Sequence, residues 1–429
     1  MLNRLFRDRM SQDGFDMEAS EMAVRHVMHQ CGALILDKVL NLETGESVGV
    51  DCRCGGRFVS KQNHSKTIHT VLGKLQIKRP YQSCNVCGCH RFPADIVLDV
   101  VKTGFSPGLR RMMAKTGSMV CFEKARDMIS DLAGVNITAK DVERIAEAIG
   151  QDIAEKEEIE ISEVMAGRQE GSEENPEVLY IATDGTGVPV LRREVKSRHG
   201  KAADGIARTR ECKLGAVFSQ SDMATSPVRD THSTTYVGKI ESVDQFAPRL
   251  YAEAQRRGVE EASTVVILGD GAPWIWNLAE EHFPEAIQIL DFYHAQEYLG
   301  NLSKILFSDI EAQKNWRQPL SDLLWEGCVR EVIIRLNRMN VTGKKKEAVD
   351  STVGYFEKNI SRMDYGEFRK RNLFIGSGVV EAGCKSLIGQ RLKQSGMHWS
   401  IAGSNSIIAL KCCIESNKFE DYWENKKAA

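Results

Sequence analysis

Apolar and polar positions follow two different periods along this chain, and the changes of period outline its parts. Val265-Val266-Ile267-Leu268 is a short, β-branched apolar run of buried-strand length, and it stops at Gly269-Asp270-Gly271. A helical pattern follows from Pro273 to about His282, with proline in the first turn, where its missing N–H costs little. A second apolar run, Ile287–Leu290, ends on Asp291-Phe292-Tyr293-His294. Far upstream, Val178–Ala182 runs into Thr183-Asp184-Gly185-Thr186 with the same strand-then-Asp-Gly grammar. Far downstream, Ser377-Gly378-Val379-Val380-Glu381 opens a helical stretch with an acid in its first turns. The pattern predicts an α/β sheet with carboxylates at the carboxyl ends of its strands, where such sheets hold ligands.

The same reading divides the rest of the chain. Met17 to about Asn41 reads as an amphipathic helix with Val24, Met28, Cys31, Ile35 and Val39 on one face, within an N-terminal segment of residues 1–50. Residues 51–104 hold paired cysteines around alternating segments near Thr67–Tyr81. Residues 105–154 are helical. Within them Cys121–Leu132 and Thr138–Ile149 are joined by a turn containing Gly134, with Thr138 as an N-cap. Residues 155–177 are acidic and read as a linker, although Ile153–Val164 also fits a continuation of the preceding helix. Residues 178–294 are expected to form the first part of a sheet domain. Val178–Leu191, Cys212–Ser219 and Thr234–Ile240 are its further strands, and Gln245–Arg257 is a helix. Residues 295–372 read as an all-α insertion that includes Glu297–Leu306, Trp316–Arg338 and Lys344–Arg362. Residues 373–429 supply the closing helices, Val379–Lys393 and Ser400–Ile414.

Composition changes this picture little. The chain has 429 residues, 42% of them apolar and 27% charged, which suits a globular protein of several units. A net charge of −2 hides local basic and acidic stretches. No run approaches the roughly twenty apolar residues of a membrane span, and the first residues lack the apolar core of a secretion signal. The cysteine usage, with five of twelve between Cys52 and Cys89, favours a reducing cytoplasm over a disulfide framework.

Cys52-Arg53-Cys54-Gly55-Gly56 and Cys84-Asn85-Val86-Cys87-Gly88 are two knuckles whose glycines allow the tight turns that bring four thiolates onto a tetrahedral ion. They predict a zinc ribbon with Cys52, Cys54, Cys84 and Cys87 as ligands, and with Cys89, His90 or His64 as possible replacements for one of them. A closed four-ligand site of this kind is structural. The helical pair after it has helix-turn-helix grammar, which would turn Lys140, Glu143 and Arg144 toward a DNA major groove; a plain helical hairpin fits the spacing as well. A basic stretch between two strands, with Arg192, Arg193, Lys196, Arg198, Lys201, Arg208 and Arg210, stands close to Asp184. It is either a solvated loop or a phosphate-neutralising arm.

Acids on two strands plus one on a later helix, in the order of a ribonuclease-H-like fold, are what two-metal phosphoryl transfer needs. Asp184, Asp270 and Glu381 would hold two divalent cations about 4 Å apart, and Mg²⁺ (or Mn²⁺) suits the role. One such Asp-Gly is more often only a turn, so the conjunction carries the reading. Several stretches together resemble ISKra-type bacterial insertion-sequence transposases, relatives of the Mutator-like DDE transposases. These are TDGTGVPV at 183–190, TRECKLGAVF at 209–218, LGDGAPWIW at 268–276, DFYHAQEYL at 291–299 and SGVVEAGCKSLIGQRLKQSGMHW at 377–399, together with the two cysteine knuckles. The resemblance implies a multidomain α/β protein. A zinc ribbon and a helix-turn-helix-like region would precede a ribonuclease-H-like mixed-sheet core that carries an all-α insertion. It also implies Asp184, Asp270 and Glu381 as the catalytic triad and places the family's Asp-x-x-His element on Asp291 and His294, residues that can equally just cap a helix.

The activity implied is cleavage of double-stranded DNA at the inverted-repeat ends of a mobile element, with joining of the 3′ ends to target DNA. Arg391, Lys393, His398 and Trp399, which follow the third acid, would touch DNA by charge and stacking, although Trp399 also suits a core. A homodimer or higher assembly is expected because two ends must meet, and the place of action is the bacterial cytoplasm at the nucleoid. Two other readings stay open: a transposase-derived DNA-binding regulator without chemistry, and a nuclease of the same fold that hydrolyses without joining.

Overall fold

The computed structural model describes residues 16–42, 51–168, 172, 174–196, 198–200, 204–222 and 228–428. The chain divides into two compact units, residues 1–149 with 424–429, and residues 150–423.

In the first unit, helix α1 (Met17–Leu42) packs on a long antiparallel hairpin, β1 (Phe58–Thr70) and β2 (Gly73–Cys84), to which the short β3 (His90–Arg91) adds. Register along the hairpin runs from Phe58↔Cys84 to Thr70↔Gly73, so both cysteine knuckles lie at its open end. Ile68, Ile77 and Val100 form a small core toward the closed end, with Leu40 of α1 against it. Asp95, in the short helix α2 (Pro93–Val97), is buried and accepts from Lys66 at 3.0 Å and from Arg79, which pins α2 to both strands. Helices α3 (Pro107–Met119), α4 (Phe122–Ala133) and α5 (Ala139–Met165) follow. The turn after α4 is made at Gly134, in the left-handed region at φ 67°. Thr138 caps α5, its Oγ1 accepting the Asp141 N–H at 3.1 Å while Asp141 Oδ2 accepts the Thr138 N–H at 3.2 Å.

The acidic stretch expected as a linker from residue 155 is helical as far as Met165, because its acids have partners. Buried Arg249 bonds Glu241 at 2.9 Å, Glu157 at 3.2 Å and also Glu158, while Arg256 reaches Glu160 at 3.3 Å.

The second unit is built on a mixed sheet of six strands: β4 (Val178–Pro189), β5 (Thr209–Asp222), β6 (Val228–Arg229), β7 (Thr235–Lys239), β8 (Thr264–Gly269) and β9 (Ile287–Leu290). Their order is β6-β5-β4-β8-β9, with β7 also on β5. β5 is antiparallel to β4, and β8 and β9 are parallel to it. The parallel strands read as continuous apolar runs because both faces are covered, and Val178 to Ala182 are all buried. Helices α6 (Val243–Arg256) and α7 (Pro273–His282) connect the strands.

From β9 the chain enters a wholly helical stretch: α8 (Phe292–Leu306), α9 (Ile310–Trp325), α10 (Val329–Asn337), α11 (Lys344–Lys358) and α12 (Tyr365–Lys370). The pattern read as one helix over Trp316–Arg338 is two, broken at Gly327, whose φ of 78° no ordinary residue adopts easily. The chain returns to the sheet through α13 (Gly378–Gly383), which runs through a π turn at Cys384–Gly389 into α14 (Gln390–Leu392). Helices α15 (Ile401–Glu415) and α16 (Phe419–Ala428) end the chain. Among the described residues, no helix is long and apolar enough to cross a membrane.

Candidate functional site

Three acids stand just past the parallel pairing of three adjacent strands: Asp184 within β4, which runs on against β5, Asp270 after β8 and Asp291 after β9. Ala182 of β4 pairs with Leu268 of β8, so Asp184 and Asp270 each stand two residues further, at one level on neighbouring strands. Leu268 in turn pairs with Ile289 of β9, and the Asp291 N–H donates to the Gly269 carbonyl at 2.8 Å. Adjacent strands run about 4.8 Å apart, so the place where their parallel pairing stops forms one acidic edge.

Each acid is held differently. Asp184 Oδ1 accepts its neighbour Gly185 N–H at 2.6 Å. Burial pushes its carboxyl above the ordinary range and the Asp270 charge adds to this, while the Gly185 N–H, the Cys384 thiol and His294 pull the other way. Asp270 closes a turn, its Oδ1 accepting the Ala272 N–H at 2.9 Å and its carbonyl accepting the Tyr355 hydroxyl at 2.7 Å. Gly271 follows at φ 94°, and a Cβ there would lie 2.6 Å from Tyr355 Oη. Tyr355 stacks on Tyr298 at 3.8 Å between ring centroids, and His294 meets the edge of Tyr298 at 5.7 Å. Exchanging Tyr355 for Phe removes the bond that steadies the Asp270 turn. Thermal melting should show a loss of about 0.5–1.5 kcal/mol.

Asp291 is fully buried and caps α8, its Oδ1 accepting the His294 N–H at 2.6 Å. Its Oδ2 takes the Ser377 N–H and lies 2.8 Å from Ser377 Oγ. With both oxygens committed to protein donors, Asp291 acts as a strut. Ser377 Oγ also lies 3.3 Å from Glu381 Oε1, one turn along α13. Cys384 begins the next turn, and residues three apart on a helix share a face, so Glu381 stands between a contact to Asp291 and a contact to Asp184. Of the three carboxylates Asp184, Asp270 and Glu381, the first two stand together at one end of the sheet, and the third rides on α13, which packs against β4 and β5. Their oxygens do not all come within 4.8 Å of one another; among the described residues only a cysteine group does. Beside this edge a cavity of about 690 Å³ is lined by Tyr293, Trp325, Arg369, Phe374 and Val379 among others.

That group is Cys52, Cys84, Cys87 and Cys89, a set able to hold a zinc ion. Cys54, read from sequence as the fourth ligand, has its Sγ 3.4 Å from Cys84 Sγ, so five thiols crowd the place of four. In the second knuckle Cys84 and Cys87 are drawn toward thiolates, whereas the hydrogen bond with Cys87 pushes the Cys89 thiol up. The Cys89 backbone N–H is the largest influence bringing the Cys87 thiol down to about 6, and the N–H groups of Cys87 and Val86 lower Cys84. His64 and His90 instead pack against Tyr81 at 5.3 and 5.7 Å, and His64 Nε2 meets Gln62 at 3.0 Å.

The basic residues divide into several groups. Arg192, Arg193, Lys196 and Arg198 are exposed beside the end of β4, while Lys201 lies outside the described residues. Lys393 is exposed and donates to Thr186 Oγ1, two positions beyond Asp184. Arg391 is fully buried with its guanidinium 4.9 Å from the Trp399 ring, so it serves the core and offers no surface to DNA. Trp399 is buried too, its Nε1 donating to the Leu392 carbonyl at 3.1 Å. In the first unit Lys140 pairs with Glu143 and Arg144 with Asp141, both at 2.9 Å.

Ser377 reads in the sequence only as the opening of a helical stretch, and Cys384, Tyr355 and Tyr298 carry no site role there. A serine four residues before Glu381 was a readable helix-start signal, but nothing local marks Tyr355 or Cys384.

Residues 10–417 match the profile described as "Uncharacterised protein family (UPF0236)". The chain belongs to the UPF0236 family. A UPF0236 protein of Caldanaerobacter subterraneus subsp. tengcongensis is 20% identical over 415 residues, which cover 96% of this chain and 80% of that relative. Among solved structures, the Drosophila P element transposase strand transfer complex is similar at 9% identity, over 73% of this chain and 80% of that one, with a TM-score of 0.24. That likeness is too loose to argue from. What this UPF0236 chain offers chemically is its own acidic strand edge and its own thiol cluster.

Proposed function

We propose that the chain is a DDE transposase with a ribonuclease-H-like core, cutting DNA at the inverted-repeat ends of an insertion sequence and joining the 3′ ends to target DNA. The observation that carries the reading is the meeting of Asp184, Asp270 and the Glu381 helix at one sheet edge, from positions some two hundred residues apart. Hard carboxylate oxygens are a donor set that Mg²⁺ or Mn²⁺ fits, and a cation there would relieve the burial and the Asp270 charge that push the Asp184 carboxyl up. Two such ions would activate the attacking oxygen and steady the leaving one. The chain's own part is positional. Asp291 and Ser377 hold the Glu381 helix against the strand ends, the Tyr355 bond fixes the Asp270 turn, and His294 stands near Asp184 where a phosphate would enter. Arg192, Arg193, Lys196, Arg198, Lys201 and Lys393 would neutralise backbone phosphates, with Lys140 and Arg144 reading element ends from the helical pair beside the zinc ribbon. The protein would work as a dimer or higher on nucleoid DNA in the cytoplasm.

The deciding experiment incubates purified protein with labelled DNA carrying candidate element ends, a target plasmid and Mg²⁺. Cleaved 3′ ends joined to the plasmid support the proposal. Hydrolysis without joining indicates a nuclease, and binding without cleavage a DNA-binding regulator. Asp291→Asn weakens the strut without touching the three acids. Its cleavage rate should fall by about 10–100-fold, the usual cost of losing a group that orients metal ligands, with end-binding in a gel-shift assay unchanged.

A further inference from the structure

The apolar face of α1 (Val24, Met28, Cys31, Ile35) is the face a lone amphipathic helix would turn to its own core. The fold does the reverse. α1 docks through its other side: Leu72 packs on Gly32, Leu40 meets Ile68 and Ile77, Asp37 Oδ1 accepts the Gln76 N–H at 3.3 Å, and Asn41 Oδ1 accepts the Lys78 N–H at 2.9 Å. Val24 is left 45% exposed, Met28 and Ile35 64% each, and Cys31 is exposed as well.

The spacing of this face specifies what covers it. Val24, Met28, Cys31 and Ile35 are separated by four, three and four residues, the seam of a two-stranded coiled coil. The next seam positions outward are Glu21 and Lys38, both exposed, and neither has an ion-pair partner among the described residues. A copy laid antiparallel, about a two-fold axis between Met28 and Cys31, brings every position to a complement. Val24 meets Ile35 of the second copy, Met28 meets Cys31, and Glu21 meets Lys38. A parallel copy would set Glu21 on Glu21 and Lys38 on Lys38, which like charge disfavours. Leu34 and Val39, 66% and 46% exposed, flank the seam; Met22 alone among the exposed apolar residues after Met17 lies off it.

We propose that α1 is a homodimerisation helix, pairing antiparallel and isologously with α1 of a second copy of this chain. The inference rests on the first unit alone and stands or falls separately from the chemistry proposed above.

The test is sedimentation of the full-length protein with charge swaps. The wild type should be a dimer at micromolar concentration. Glu21→Lys and Lys38→Glu should each raise the dissociation constant at least about tenfold, and the double swap should recover most of that loss, because it restores the pair with its sign reversed. The recovery also excludes misfolding as the cause of the single-variant effects. In the orientation arm, Met28→Cys under mild oxidation should give a covalent dimer whose peptide map links position 28 to Cys31. A monomeric wild type, single swaps without effect, a double swap no tighter than either single, or a wild-type Cys31–Cys31 link as efficient as the engineered one would each overturn the proposal.

Discussion

Replacing Asp270 by alanine should lower metal-dependent DNA cleavage by at least about 10²–10³-fold, the cost of removing one preorganised electrostatic group from a reacting centre. The loss should come without unfolding. Asp270 supplies one turn bond, to the Ala272 N–H, worth about 0.5–1.5 kcal/mol. Against that, its removal takes a like charge away from Asp184. Three measurements separate a metal-site role from a structural one. The melting temperature without divalent ions should shift little, whereas the rise that Mg²⁺ or Mn²⁺ gives the wild type should vanish, since ligand binding stabilises only a fold that can bind. The Asp184 carboxyl should titrate lower in the variant, because one of the two influences raising it has gone; carboxyl-carbon NMR reads this directly. Binding to element ends should persist. Asp244→Ala, at an exposed acid in the first turn of α6, should leave all of these unchanged. Undiminished metal-dependent nicking by the Asp270 variant would reject the assignment.

The sequence made the acidic edge legible for a simple reason. Buried parallel strands are short apolar runs, and the residue where the run stops is where the sheet offers a ligand site, so Asp184, Asp270 and Asp291 announced themselves. Ile287–Leu290 and Pro273–His282 appear in the fold with the bounds their patterns gave. Less legible was whatever depends on residues distant in sequence. The run Trp316–Arg338 kept its helical period across a glycine that bends the chain. The acidic residues after Glu155 look like solvated linker until Arg249, nearly a hundred positions on, supplies their partner. Arg391 reads as a DNA contact because arginine usually lies at the surface, and only the fold buries it against Trp399. The face of α1 shows the same limit in another form. Periodicity identified the stripe, but a stripe has no sign, and the hairpin took the opposite side.

The second large effect concerns the thiol cluster. Purified protein should carry one zinc per chain, and stripping it with a strong chelator should open the end of the hairpin where both knuckles lie. Structural zinc sites contribute on the order of 10 kcal/mol in isolated fingers. Here the loss should be smaller and local, because the closed end of the hairpin is held independently by Ile68, Ile77 and Val100 and by Asp95 between Lys66 and Arg79. Amide exchange should therefore accelerate at 52–62 and 80–91 while protection around Ile68 and Ile77 survives. Ser substitutions divide the five cysteines further. A tetrahedral ion takes four thiolates. Cys52, Cys84 and Cys87 are common to the sequence-derived set and to the group gathered within 4.8 Å, so losing any one of them should release the metal. Cys54 and Cys89 compete for the remaining position: Cys54 lies 3.4 Å from Cys84, and Cys89 lies 3.4 Å from Cys52 and 3.2 Å from Cys87. One of the two single variants should keep zinc while the double variant loses it, as read by metal analysis after dialysis. Full zinc retention by Cys84→Ser, or unchanged exchange after chelation, would leave the cluster a set of packed thiols and remove the ribbon from the proposed DNA-reading apparatus.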